Sequence, residues 1–271
     1  MDRTRKRTYQ ALNSAGVVLV LVINGLANAL PLFGRTTGEV SSYYPNLFVP
    51  AGFTFSIWGV IYVLLIVFAV YQARDVFWRE AVSMPFLERI GIWFVVSCLG
   101  NISWIFAFHA NLILLSILPI LVLFFGLFMV YRRLDVEKTK VPAAEVFTVN
   151  LPFSVYFGWV SIAVIANITA ALVSLGWRGE PLPEQFWAVF MILAGTFLGL
   201  MMLFLQGDLF YVLVVVWAYT GIIVNRTQAG DALSVIIAAA VGIGILVINC
   251  SWYLPKKGLY LRLHSDAVRS E

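Results

Sequence analysis

The sequence predicts an all-α membrane protein that crosses the bilayer about eight times. Of its 271 residues, 61% are hydrophobic and only 12% are charged, and the mean hydropathy is +0.91. Soluble domains carry about 25% charged residues. Because lipid offers no hydrogen-bond partners, long apolar runs must satisfy their backbone polar groups internally, as helices do. The predicted fold class is therefore a polytopic helical membrane protein.

Eight apolar segments account for the chain in order. The connections after the third and the sixth segment are so short that the helices on either side are predicted to form antiparallel hairpins. Between the second and third segments, residues 74–89 mix charged with apolar side chains and predict a short interfacial helix. The predicted helices cover residues 9–31, 50–73, 90–109, 111–133, 144–175, 185–206, 208–226 and 231–254.

The positions of lysine and arginine predict the orientation. With eight crossings, 15 of the 18 basic residues fall on the side that holds both termini, and only Arg35, Arg178 and Arg226 fall on the other. Because cytoplasmic loops are enriched in basic residues, both termini are predicted to be cytoplasmic, in a bacterial or archaeal plasma membrane. These flanks also account for the net charge of +4, so nucleic-acid binding is not expected.

Several kinds of chemistry lack the residues they need. No acid or base lies near the middle of a predicted helix, which disfavours an ion-coupled pump. His109 and His264 lie at a hairpin tip and in the tail, so a bis-histidine haem site is not predicted. No nucleophile motif or metal-ligand cluster occurs, and we predict neither catalytic residues nor a metal site. Asp208, in LQGDLF, is predicted to cap the seventh helix.

Aromatic and amide side chains form stripes on three of the predicted helices. Side chains three, four or seven residues apart lie on one helical face. Such a stripe packs against neighbouring helices or lines a pocket, and the spacing alone leaves both readings open. The stripes consist of Phe55, Trp58 and Tyr62 on the second helix, Asn101 and Trp104 on the third, and Tyr156, Trp159, Ala163 and Asn167 on the fifth.

The same stretches resemble the TspO/MBR family, the tryptophan-rich sensory proteins related to the mitochondrial translocator protein. Pro50 followed by FSIWGVIY is similar to the family's proline-led second helix. Asn101-Ile-Ser-Trp104 is similar to its N-x-x-W motif, and YFGWVSIAVIAN to its Y-x-x-W-x-x-x-A-x-x-x-N motif. The resemblance predicts a five-helix unit over residues 9–175. Hydropathy and charge predict the remaining segments, which are a basic cytoplasmic N-terminus over 1–8, three additional helices over 176–254 and a cytoplasmic tail over 255–271.

The resemblance implies a pocket within the bundle, under the loop between the first two helices. It would bind a porphyrin or haem-like molecule, a sterol-like molecule or another flat hydrophobic ligand. Aromatic rings supply stacking area for such a ligand, and amides orient its polar edge. Pro50 would start the second helix, where its missing N–H is harmless. The predicted ligand-binding residues are Phe55, Trp58, Tyr62, Asn101, Trp104, Tyr156, Trp159 and Asn167.

Three alternatives remain open at the level of sequence. A transporter of an uncharged solute would use an amide-lined path and broken helices, for which Pro119 and Pro152 are the candidates. An assembly partner of a membrane complex would use the three additional helices. An enzyme that breaks down porphyrin in light, as some family members are reported to do, would use pocket tryptophans. Small residues in the eighth helix favour close packing, on the same chain or in a homo-oligomer.

Overall fold

The structure is a computed structural model that describes residues 2–30, 32–77, 82–135 and 141–257. Helices and turns make up these ranges, and no strand occurs in them. Eight apolar helices, named first to eighth in chain order, confirm the predicted fold class. The third, with 17 residues, is shorter than the length usual for a membrane span. The other seven are long and apolar enough to cross a membrane when the second is counted with the turns at its ends, as Gly52–Val76, and the fifth with the helical turns before it, as Ala143–Ser174. Their bounds are Arg3–Ala29, Ile57–Gln72, Trp93–His109, Ile113–Leu134, Leu151–Ser174, Glu184–Gln206, Leu209–Ala229 and Leu233–Lys257.

The first helix begins six residues earlier than predicted, within the basic N-terminal flank. Its N-cap is Asp2, whose carboxylate accepts a hydrogen bond from the backbone N–H of Arg5 at 2.8 Å. Such a cap satisfies one of the free N–H groups at a helix start. Lys6 and Arg7 then pair with Asp75, just beyond the end of the second helix. The charges of the flank are therefore part of the first helix rather than of a separate tail.

The segment before the third helix is not the single interfacial helix that the sequence predicts. Two short helices, Arg74–Phe77 and Pro85–Ile90, occur there; residues 82–84 are not helical, and 78–81 lie outside the described residues. Gly91 ends the second short helix with a φ of 56°, a left-handed conformation that glycine adopts at little cost. The third helix therefore begins at Trp93 rather than at residue 90.

The first five helices close into a ring. Their contacts run from the first to the second, fifth, fourth and third helices and back to the first. The third and fourth helices form the predicted hairpin, which turns at Asn111 with a φ of 63°. They approach so closely that a Cβ atom on Gly100 would lie 2.5 Å from the backbone nitrogen of Leu123. The inside of this ring is where the aromatic stripes meet.

The sixth, seventh and eighth helices pack on one another beside the ring, and the seventh also packs against the fifth. Two of the small residues in the eighth helix serve this packing. Ala239 is fully buried, and a Cβ atom on Gly242 would lie 2.8 Å from Oγ1 of Thr196 on the sixth helix. At these two positions the small residues allow close contact within the chain. The predicted homo-oligomer stays a prediction.

Asp208 joins the two groups of helices. Its Oδ1 accepts a hydrogen bond from the backbone N–H of Tyr211 at 3.0 Å, which confirms the predicted cap of the seventh helix. Its Oδ2 also accepts hydrogen bonds from the hydroxyls of Tyr131 at 2.9 Å and Ser154 at 2.7 Å. The carboxyl group is fully buried and connects the fourth, fifth and seventh helices.

Replacing Asp208 by alanine should lower the free energy of unfolding by about 3 kcal/mol. The change removes a helix cap and the carboxylate that accepts hydrogen bonds from two buried hydroxyls. Thermal unfolding of the purified protein in detergent would measure the loss, and Asp208→Asn, which keeps one acceptor oxygen, should lose less. An alanine variant that unfolds at the wild-type temperature would contradict this role.

Candidate functional site

Trp58 lies at the centre of an aromatic cluster inside the five-helix ring. Its ring centroid is 5.7 Å from that of Trp104 and 5.9 Å from that of Tyr62, with nearly parallel planes. The rings of Tyr156 and Trp159 meet it edge-on at 6.0 and 6.3 Å. These are favourable separations for aromatic pairs. Side chains from the second, third and fifth helices therefore form one contiguous surface.

Phe55 and Phe108 extend this cluster towards the connection between the first two helices. Phe55 meets Trp159 edge-on at 6.0 Å, and Phe108 stacks on Trp104 at 5.0 Å. The structure therefore brings together all six aromatic residues that the sequence predicts for the site. The spacing of these residues along the second span and the fifth helix puts their rings on the faces that meet inside the ring of helices.

The two predicted amides hold helices together. Asn167 accepts a hydrogen bond from Nε1 of Trp104 at 2.8 Å and donates one to Oγ of Ser116 at 2.9 Å. Oδ1 of Asn101 accepts a hydrogen bond from the side-chain amide of Asn24 at 2.6 Å. These bonds connect the third helix with the first and fifth, and the fifth with the fourth. A direct contact with a ligand stays a prediction for both.

Replacing Asn167 by leucine should destabilise the protein by about 1–3 kcal/mol, because the buried N–H of Trp104 loses its acceptor. Asn249→Leu is a matched control, since the side-chain amide of Asn249 bonds only to the carbonyl of Ile245 in its own helix. Thermal unfolding in detergent should separate the two variants. Equal unfolding temperatures would show that the hydrogen bonds of Asn167 to Trp104 and Ser116 contribute nothing measurable to stability.

A lid, here residues 32–51, covers the end of the ring. It contains a short helix, Thr37–Ser42, which starts with a reciprocal pair of hydrogen bonds between Thr36 and Glu39. The hydroxyl of Thr37 lies 3.0 Å from Nε2 of His109. The hydroxyl of Tyr44 donates to the side chain of Asn111 at 2.8 Å. The lid is therefore fastened to the tip of the third and fourth helices.

The pKa of Glu39 lies below its ordinary value, because the backbone N–H and the hydroxyl of Thr36 bond to its carboxylate. Because the pKa is lowered in the folded lid, the hydrogen-bonded carboxylate of Glu39 stabilises the lid at any pH above the ordinary pKa of glutamate. This stabilisation is lost as the pH falls through the lowered pKa and the carboxylate takes up a proton.

Pro50 does not start the second helix, contrary to the prediction. A 3-10 turn, Gly52–Ser56, precedes the regular helix, and Pro50 lies two residues before that turn. The backbone on either side of it is held by the seventh helix, through the carbonyl of Val49 and the N–H of Ala51. These bonds keep this stretch of the lid out of the helix.

A small inner cavity of about 40 Å³ lies directly under the lid. Pro50 lines it from the lid side, and Trp58, Trp104 and Trp159 line it from the ring. Since one water molecule occupies about 30 Å³ of liquid, this space is far smaller than a flat polycyclic ligand. Phe55 and Asn167 belong to the same wall.

A much larger cleft of about 1060 Å³ opens between the first and second helices. One wall is aromatic and consists of Phe55, Trp58 and Tyr62. Pockets for small molecules span about 300–1,000 Å³, so the cleft has room for a ligand of porphyrin or sterol size. The polar part of its lining consists of Asn24, Asn28, Thr36, Thr37, Glu39 and Ser42.

The predicted residues thus divide between the two spaces. Phe55 and Trp58 line both, whereas Asn101 and Tyr156 are fully buried and pack behind them. Sequence reasoning missed the polar wall. Asn24 and Asn28 lie four residues apart on one face of the first helix, a signal that could have found them. For the lid residues in this wall, Thr36, Thr37, Glu39 and Ser42, no pattern in the sequence indicates that they line a cleft.

The fold and this geometry define a polytopic helical membrane protein with an aromatic centre and an adjoining cleft. A family model described as TSPO-like protein matches residues 10–252. The chain belongs to the TSPO-like family, which confirms the predicted resemblance. The match extends from the first helix into the eighth and so includes the helices beyond the predicted five-helix unit. No curated protein and no solved structure matches the chain.

Proposed function

We propose that this protein is an integral membrane sensor or carrier that binds one flat hydrophobic molecule, of the porphyrin or sterol class, in the cleft between the first and second helices. The observation that supports this proposal best is the cleft itself, about 1060 Å³ in volume with an aromatic wall. Membership of the TSPO-like family is consistent with a ligand of this kind.

The aromatic wall suits a planar apolar ligand. Phe55 and Tyr62 are half-buried and Trp58 is backed by four other rings, so the wall is rigid and still accessible from the cleft. A planar polycyclic molecule can stack on such a surface over a large area. A linear acyl chain would gain less from it.

Two charged residues lie at or beside the cleft, Glu39 in its lining and Arg35 next to it. The guanidinium group of Arg35 lies 4.4 Å from the centre of the Tyr43 ring, and Tyr43 lines the cleft. An arginine beside the mouth can pair with a carboxylate. Arg35 would therefore favour a porphyrin, which carries carboxylates, over an uncharged sterol, and the carboxylate of Glu39 would oppose this preference.

Trp159 offers a further contact for a ligand that widens the inner cavity. Its indole N–H is buried and has no hydrogen-bond partner among the described residues. An unpaired buried donor is costly, so an acceptor atom on the ligand would gain a hydrogen bond there. Such a contact would make the site selective for ligands that carry a hydrogen-bond acceptor close to Trp159.

The transporter alternative receives no support from the two candidate prolines. Pro119 lies inside the fourth helix, which continues through it from Ile113 to Leu134. Pro152 follows a π-helical stretch, Val146–Asn150, and the helical backbone continues without a break from Ala143 to Ser174. Broken helices that face each other at the membrane midplane would have favoured a transport path.

The proposal is tested by titrating the purified protein in detergent with four compounds and following tryptophan fluorescence. The compounds are protoporphyrin, its dimethyl ester, a sterol and a linear fatty acid. We expect saturable binding of protoporphyrin at one molecule per chain, weaker binding of the ester, and no saturation with the fatty acid. If all four only partition in proportion to the detergent, the proposed function is wrong.

A further inference from the structure

The seventh helix holds the stretch of chain that leads from the lid into the second helix. Nε1 of Trp217 donates a hydrogen bond to the carbonyl of Thr54 at 2.9 Å, and the amide of Asn225 donates one to the carbonyl of Val49 at 2.8 Å. Both acceptors are backbone groups in the same short stretch, residues 49–54. The contacts therefore fix the path of the main chain there, whatever its side chains are.

Gly221 makes the third contact, at the place where the seventh helix comes nearest to the entering chain. Its carbonyl accepts a hydrogen bond from the N–H of Ala51 at 3.0 Å. A Cβ atom on Gly221 would lie 2.0 Å from Oγ1 of Thr54 and 2.9 Å from Cβ of Pro50, which leaves no room for a side chain. Only glycine allows this approach of the helix to the entering chain.

These three residues of the seventh helix form a continuous stripe. Trp217, Gly221 and Asn225 follow one another at intervals of four residues and so lie on one face. The ring of Phe53 packs edge-on against Trp217 at 5.5 Å. A further bond, from the N–H of Leu47 to Oε1 of Glu184, holds the lid from the start of the sixth helix.

The stretch that is held belongs to the walls of both spaces in the site. Pro50 lines the inner cavity and Gly52 lines the cleft. Phe55 follows directly and lines both, one turn before Trp58. Because the backbone connects them without a break, a shift of residues 49–54 moves the aromatic wall and the lid together.

We infer that Trp217, Gly221 and Asn225 are positioning residues, which act through the 49–54 stretch to hold the lid and the aromatic wall in place and so limit the rate at which ligand enters and leaves. The inference rests on the proposed function for the ligand but assigns a role to the seventh helix, which lies beyond the ring. Loosening the stripe should let the lid and the aromatic wall move more often without removing any group that touches the ligand.

The first part of the test needs no ligand. Hydrogen exchange of the backbone amides in residues 47–56 should speed up at least threefold in Trp217→Phe, Asn225→Leu and Gly221→Ala. Two matched controls should exchange at the wild-type rate. They are Gly244→Ala, where no atom lies within 4 Å of the new Cβ, and Asn249→Leu, whose amide bonds only within its own helix. Unchanged exchange in all three stripe variants would overturn the inference.

The second part measures protoporphyrin binding to the same five variants by stopped-flow fluorescence. The association and dissociation rate constants should both rise at least threefold in the stripe variants, while the dissociation constant changes less than either. A purely structural defect would instead reduce the fraction of protein that binds and leave the rate constants of the remainder unchanged. That result, or rate constants equal to those of the controls, would overturn the inference and leave the proposed function standing. Absence of saturable binding to the wild-type protein would overturn the proposed function, and this inference with it.

Discussion

Replacing Gly100 by alanine is expected to lower the stability of the protein by about 1–3 kcal/mol, the usual cost of an overpacked core. The new Cβ would lie 2.5 Å from the backbone nitrogen of Leu123, 2.8 Å from its Cα and 3.0 Å from the carbonyl oxygen of Pro119. All three are backbone atoms and cannot move away by rotating a side chain. The third and fourth helices would have to separate, and Gly100→Val should prevent the folded protein from accumulating.

The control for this prediction is Gly244→Ala, which adds the same methyl group to a helix where no atom lies within 4 Å. That variant should be as stable as the wild type or slightly more so, since alanine favours helix over glycine. Thermal unfolding in detergent, followed by near-UV circular dichroism, compares the two. If Gly100→Ala and Gly244→Ala unfold at the same temperature, the close approach of the two helices is wrong.

Replacing Trp58 by leucine is expected to weaken protoporphyrin binding at least tenfold, or about 1.4 kcal/mol. Trp58 lines both the cleft and the inner cavity, and four other rings pack on it. Leucine is apolar but offers no planar face for stacking. Equilibrium titration measures the loss, and Trp58→Phe should lie between the wild type and Trp58→Leu.

Two further variants separate loss of binding from loss of structure. Phe94→Leu removes a ring that is fully buried among Phe68 and Phe153, so it controls for a weakened core. Trp252→Leu removes an exposed tryptophan of the eighth helix and controls for changes in fluorescence. Both should bind protoporphyrin as the wild type does. Binding that falls as much in Phe94→Leu as in Trp58→Leu would assign the loss to general destabilisation.

The parts of the fold that depend on local pattern could be predicted from the sequence. Apolar length predicts all eight helices, and a short polar turn predicts the cap at Asp208 because capping involves residues two or three positions apart. The stripe on the second helix predicts that Phe55, Trp58 and Tyr62 share a face. Helical geometry alone determines such relations, so no knowledge of the fold is needed.

The remaining features depend on contacts between distant parts of the chain. Trp217 and Asn225 stand out by their spacing, but their acceptors lie 163 and 176 residues away, and no local pattern indicates them. Gly221 looks like an ordinary glycine in a helix until the chain from the lid is seen against it. The hydroxyl of Tyr131 on Asp208 is a contact of the same kind, across 77 residues.

Photocrosslinking would show where the ligand binds. A protoporphyrin that carries a photoactivatable diazirine would be bound to the wild-type protein, illuminated, and the adducts mapped by mass spectrometry with and without excess protoporphyrin. We predict adducts that compete with free protoporphyrin on the aromatic wall, in residues 52–62, and on the facing first helix and lid, in residues 24–43. Adducts confined to outward-facing side chains such as Ile237 and Ile248, and unaffected by the competitor, would contradict the account.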